Sequence, residues 1–230
     1  MYTLSSIERE KLKKYLKWKS NPWEFENKLW GKVGNFIPYL EVVPHISCVC
    51  VCNSLAMNAC HKNSDIDLFV ITKKDRLWTA RIWLTLLTSL LRVRKNSHNH
   101  AWKFCLSFFV SEEEENLSDI AIKNDIYLTY WLETLTPIVN KNNAFEKFLE
   151  RNKLEDYNKN YTASNQKFYS QNNLTSRLWN VCEYILKKIF IKKSLKKYEK
   201  LWKPSWVIIN DTMLKFHDKD KRKEIRDNIL

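Results

Sequence analysis

Two aspartates separated by one residue, Asp65 and Asp67, stand in the apolar run "SDIDLFVIT". On a strand, residues two apart share a face at a spacing of about 6.6 to 6.8 Å. Unpaired carboxylates are costly in a core, so two on one face call for a cation, a ligand or exposure at a cleft. Together they could approach a pair of divalent ions roughly 3.5 to 4 Å apart. Magnesium suits such a place, because it takes hard oxygen ligands, keeps waters and is shared with substrate phosphates. Ile66 and Leu68 would anchor the opposite face. Two exposed aspartates at a sheet edge would have the same spacing, so the neighbouring residues carry the distinction.

Twelve residues before Asp65, Asn53 and Ser54 follow the apolar run "ISCVCVC". A hydroxyl, backbone amides and a following helix N-terminus could hold a phosphate tail there. Ser64 directly precedes the first aspartate, and Lys73 and Lys74 follow the second apolar run, where α/β sheets tend to place ligands. These residues complete the candidate cofactor-binding set. For Lys73, Lys74 and the nearby Arg76, a solvated loop is the competing reading. Arg81 lies inside an apolar helical stretch, where a lone charge needs a partner.

These residues need a scaffold. Residues 7 to 33 read as two amphipathic helices broken near Asn21-Pro22, and residues 46 to 52 as a central strand. Residues 55 to 61 make a short helix or turn, 65 to 72 a second strand, about 77 to 93 a helix, and 103 to 111 a third strand. Beyond "DIYLTYWLETL" the spacing is helical, with a long helix from roughly Thr175 to Trp202 and a tail that joins a short apolar segment to a charged helix. The class is α/β (α+β): a small mixed sheet with N-terminal helices in residues 1–140, and a helical C-terminal region in 141–230.

In "CVCVCNSLAMNACHKNSDIDLFVIT" an apolar strand ends in a polar pair, and about ten residues later Asp-x-Asp opens the next strand. This stretch resembles the "GS...SDIDL" motif of the nucleotidyltransferase superfamily, the fold of DNA polymerase beta, the minimal nucleotidyltransferases and the aminoglycoside nucleotidyltransferases. With "FCLSFFVS" the resemblance extends to Val110, and "NSLAM", "CLSFFVSE" and "LKFH" are similar to a bacterial branch of the superfamily. The resemblance implies transfer of a nucleoside monophosphate from an NTP to a hydroxyl acceptor, with Mg²⁺ on Asp65 and Asp67 as the catalytic and metal-binding pair. It also implies that Ser54 contacts the triphosphate. A catalytically degenerate nucleotide- or nucleic-acid-binding module on the same fold is the alternative.

The chain departs from that pattern twice. Asn53 replaces the family's glycine, and Asn tolerates left-handed backbone better than most residues. The family's third carboxylate belongs on the next strand, where the aligned residue reads as Ser107. Glu112 and Asp119 are the acidic residues that could reach in instead.

Composition sets the remaining bounds. Gly31 and Gly34 are the only glycines, which excludes glycine-rich phosphate loops of the P-loop or dinucleotide type. A net charge of +13 favours polyanionic partners such as RNA. The lysines at 187, 188, 192, 193, 196, 197 and 200 make one side of the long helix basic: a phosphate-backbone surface, a plain solvated face or, third, an anionic-membrane contact. No signal peptide or membrane-spanning stretch is legible, so the expectation is a cytoplasmic protein with reduced thiols and no integral membrane association. Cys48, Cys50 and Cys52 alternate along a strand and read as small core residues, since no second Cys pair completes a zinc site. His98 and His100 fall in a polar loop. His217, among Asp218, Asp220 and Arg222, has the surroundings of a base or metal ligand and equally those of a charged tail.

Overall fold

Seven strands form one mixed sheet in the computed structural model, which describes residues 2–21, 23–96, 100–113, 116–154, 165–166, 173–200, 207–216 and 220–230. The elements in chain order are α1 (Ser6–Tyr15), α2 (Glu24–Glu41), β1 (Ile46–Cys52), α3 (Asn53–Ala56), β2 (Ile66–Thr72), α4 (Leu77–Leu90) and β3 (Phe104–Ser111). They continue with α5 (Ile126–Thr134), β4 (Thr136–Lys141), α6 (Ala144–Arg151), β5 (Asn165–Gln166), α7 (Asn173–Lys200), β6 (Ile208–Ile209), β7 (Met213–Lys215) and α8 (Arg222–Ile229).

The sheet order is β5-β4-β1-β2-β3-β7-β6. β1 runs antiparallel to both β2 and β4, β2 and β3 are parallel, and β3 is antiparallel to β7. The mixed α/β class expected from the sequence holds. The sheet is larger than expected, because β4 and the short strands β5, β6 and β7 come from stretches without a strand-length apolar run. It also takes strands from both sides of position 140, so that boundary marks no break in the sheet.

Side chains alternate across β1 and β2 and divide the core in two. Cys48, Cys50, Cys52, Phe69 and Ile71 face a layer built from α1, α5, α6 and α8, including Leu12, Trp131, Phe148 and Ile225. Val49, Val51, Ile66, Leu68 and Val70 face the other layer, which carries α2 and α4 with Leu29, Phe36, Trp78 and Leu84. α7 packs at the margin of that second layer through the partly buried Leu186, Phe190 and Ile191. The three alternating cysteines are therefore buried core thiols, and all six cysteines are free.

On β3 the alternation slips. Asp67 pairs with Cys105 and Phe69 with Phe108, so three residues of β3 span two of β2. Such a register shift moves a residue out of phase and re-aims its neighbours. As a result Leu106 packs on the α2/α4 side, whereas Phe108 packs on the α5/α6 side.

Candidate metal and nucleotide site

Antiparallel pairing places the end of β1 beside the start of β2. Cys52 is in register with Asp67, so Asn53 and Ser54, which follow Cys52, lie at the same end of the sheet as Asp65 and Asp67. Asp67 is matched on its other side by Cys105 of β3. Ligand atoms of Asp65, Asp67 and Cys105 all lie within 4.8 Å of one another, and all three residues are partly buried. Among the described residues this is the group of acidic, Cys or His side chains with the spacing to hold a metal ion.

The residue meeting Asp67 across the sheet is thus Cys105, where the sequence pointed to Ser107. The register shift between Asp67 and Phe69 is the physical reason. Ser107 lies further along β3 and hydrogen-bonds the Cys105 thiol. Burial pushes that thiol well above its ordinary range, and the nearby Asp67 carboxylate adds to the effect. Neither other acidic candidate joins the pair. Glu112 follows β3 at its far end, where its amide bonds the Thr72 carbonyl (2.9 Å) and its carboxylate accepts from the Ser47 hydroxyl. Asp119 lies exposed on the 3₁₀ turn Leu117–Ile120.

A cation does reach the site. Lys95 Nζ stands 2.5 Å from Asp65 Oδ2. The lysine is held by its backbone, since Lys95 N–H donates to the Phe104 carbonyl and Phe104 N–H to the Val93 carbonyl, each at 2.9 Å. Burial works against the Lys95 charge, yet the bond to Asp65 raises its pKa above the ordinary value.

Asn53 occupies the left-handed region with φ 57°, a conformation that Asn tolerates better than most residues. Its Oδ1 accepts a hydrogen bond from Trp131 Nε1 (2.9 Å), which fixes the side chain against α5. Ser54 Oγ faces the Cys60 thiol at 3.7 Å. α3 is only four residues long, so a phosphate there would depend on the hydroxyl and nearby cations more than on a helix dipole. Ser64 closes the turn before β2: its buried hydroxyl accepts from His61 N–H at 2.9 Å.

The structure does not bring Lys73 and Lys74 to this site. They follow β2 at the end opposite Asp67, five residues beyond it at Thr72, or about 16 to 17 Å along the strand. Lys73 N–H bonds the His45 carbonyl (2.9 Å), and Lys74 pairs with Glu113 at 2.5 Å. Arg76 Nη2 bonds Asn180 Oδ1 of α7. Arg81 packs on the α4 side of the sheet, its guanidinium 4.2 Å from the Phe216 ring centre and 5.3 Å from that of Phe109. Burial pushes its pKa down to about 10. His98, His217, Trp202 and the side chains of Lys197 and Lys200 lie outside the described residues.

On the Asp67 face of the sheet a cavity of about 740 Å³ opens beside Asn53. Phe108, Tyr127 and Trp131 form an aromatic wall, and Lys17, Lys62, Lys215 and Lys221 contribute cations. Arg222, also in the lining, is pinned by Asp125 (2.9 Å) and Asp220 (2.6 Å), with those carboxylates balancing its charge. Burial, followed by repulsion from Arg222, lowers the Lys215 pKa. The Tyr127 hydroxyl is raised far above its ordinary range by burial, with smaller contributions from Cys52 and from the carboxylates of Asp67, Asp220 and Asp125. Lys95, Cys105 and the aromatic wall escaped the sequence reading. The register shift was the missing signal for Cys105, and nothing local marks Lys95 in its polar loop.

Two carboxylates at this spacing fit a divalent cation, and a thiol as third donor leans toward ions softer than magnesium. No described helix is long and apolar enough to cross a membrane. Compared with known proteins, the chain matches no family model, no curated protein and no solved structure.

Proposed function

We infer that the chain binds a nucleoside triphosphate together with a divalent cation, on a core of nucleotidyltransferase type whose transfer chemistry is weakened. Asp65 and Asp67 hold the cation, the Asn53–Ser54 turn receives the phosphates, and the aromatic cavity accommodates the base. A bound cation would supply neutralisation of charge on the phosphate oxygens. The observation that carries this reading is the register Cys52–Asp67–Cys105, which gathers the polar turn, the acidic pair and the cavity at one end of the sheet.

The same register supports the weakened chemistry. A thiol whose charged form burial disfavours is a poor substitute for a carboxylate that helps to take the acceptor's proton. Loss of such a base costs roughly 10²-fold or more in rate. The chain's own contributions are binding and orientation: Trp131 fixes Asn53, and Lys95 balances Asp65 until a cation arrives.

The test is a titration of the protein with each common NTP in the presence of Mg²⁺ or Mn²⁺, read by tryptophan fluorescence and calorimetry. Saturable binding that requires the metal and is lost in Asp67→Asn is expected. Absence of NTP binding, or identical binding by Asp67→Asn, would overturn the reading.

A further inference from the structure

The inner side of α7 is accounted for by packing, but its outer side is not. Trp179, Leu186, Phe190 and Ile191 turn toward the body of the protein, and Glu183 on the same side bonds the N-terminus of α4. On the opposite side Leu178, Val181, Ile185 and Ile189 are 65, 57, 49 and 46% exposed. Their spacing of three, four and four residues makes one continuous strip along a helix. The helix is therefore apolar on two faces, and the second is exposed among the described residues. α4 lies in the same layer, and its outward residues Trp83, Leu86 and Leu90 are exposed as well.

Along the chain the outer strip changes character. Lys192 and Lys196 continue its line beyond Ile189, and Lys188 and Lys193 flank it, all exposed. No acidic residue occurs on α7 between Glu183 and Glu199. Lys187 is different, because it is paired with Asp211 at 2.5 Å.

We propose that the outer face of α7 docks on an anionic lipid surface, its apolar strip entering the headgroup boundary and its lysines meeting lipid phosphates. Charge complementarity selects this occupant. A polynucleotide would satisfy the lysines and leave the Leu178–Ile189 strip in water. A second copy would cover the strip, but it would bring a chain of net charge +13 against itself. An anionic bilayer meets both demands at once, since lysine stems lie along the apolar boundary while their ammonium groups reach the phosphates. Each lysine near such a surface strengthens binding roughly fivefold.

The experiment is flotation of the full chain with vesicles of phosphatidylcholine alone and of phosphatidylcholine mixed with phosphatidylglycerol. The variants are Val181→Gln/Ile185→Gln and Lys192→Gln/Lys193→Gln/Lys196→Gln. All five positions are exposed, and circular dichroism checks that the fold is retained. The wild type should float with the anionic vesicles only, and each variant should lose most of that binding, the lysine variant by roughly 10²-fold. Failure of the wild type to bind anionic vesicles overturns the proposal. So does full binding by Val181→Gln/Ile185→Gln, which would leave a plain polyanion surface for RNA. A wild-type dimer that this variant converts to monomer would assign the strip to a second copy and overturn it equally.

Discussion

Lys95 and Asp65 form an ion pair of 2.5 Å at the mouth of the candidate site, tying the loop after α4 to the residue just before β2. The pair makes the amine a competitor for any cation that the carboxylates would hold. Replacing Lys95 by Met should remove the competitor and tighten Mn²⁺ binding in the absence of nucleotide by about tenfold, the scale of one close charge pair in a partly screened place. Calorimetric titration of the two proteins decides the matter. Equal affinities would show that the lysine does not guard the site.

Cys105 offers a gain of function. Cys105→Asp places a carboxylate opposite Asp67, and if an NTP binds there as proposed, pyrophosphate release should rise by about 10² over the wild type. A Cys105→Ser control should stay at the wild-type rate. If Cys105→Asp binds metal and nucleotide yet releases no more pyrophosphate, the third position is not what limits the chemistry.

His45 should give the fold an acid-sensitive component. It is buried, it meets the Trp179 ring edge to face with centroids 4.5 Å apart, and its pKa is pushed down to about 4 by burial and then by Arg76 and Lys73. Between the ordinary value of 6.5 and about 4, the unfolded chain binds a proton that the folded chain refuses. This contribution is complete above pH 6.5 and is lost as the pH falls toward 4. Urea midpoints of the wild type should fall across that window more steeply than those of His45→Asn, a substitution that suits the backbone φ of 63°. Parallel slopes for the two proteins would refute the assignment.

Glu183 secures α7 from the side opposite its exposed strip. The carboxylate accepts from Trp78 N–H (2.8 Å) and Thr79 N–H (2.7 Å), which satisfies two amides in the first turn of α4 and places a negative charge at its positive end. Glu183→Ala should cost about 1 to 2 kcal/mol by urea denaturation, with metal and nucleotide binding unchanged. Loss below about 0.3 kcal/mol would mean that water caps the helix equally well.

The central strands were legible because β1, β2 and β3 are buried on both faces, and such strands read as unbroken apolar runs. β4 was not legible. "TPIVNK" contains Pro137, Asn140 and Lys141, and it becomes a strand by pairing with β1. The three residues of β7 are fixed likewise by their pairing with β3, about a hundred residues away. At the site, the period of two in "DIDL" was enough to place Asp65 and Asp67 on one face. The same rule failed for the third donor, because a register shift between neighbouring strands leaves no trace in either strand alone. Lys95 depends on backbone bonds to Phe104 that only the folded sheet supplies.

The cavity wall gathers Leu16 from just after α1, Trp131 from α5 and Ile225 from α8. Until α8 meets α5, Arg222 and Ile225 are missing from that wall, and Phe108 and Trp131 stand on a wider groove. The pocket thus rests on contacts between residues about two hundred positions apart, and closure over such a separation is slow in folding because its loop entropy is lost before the contacts form.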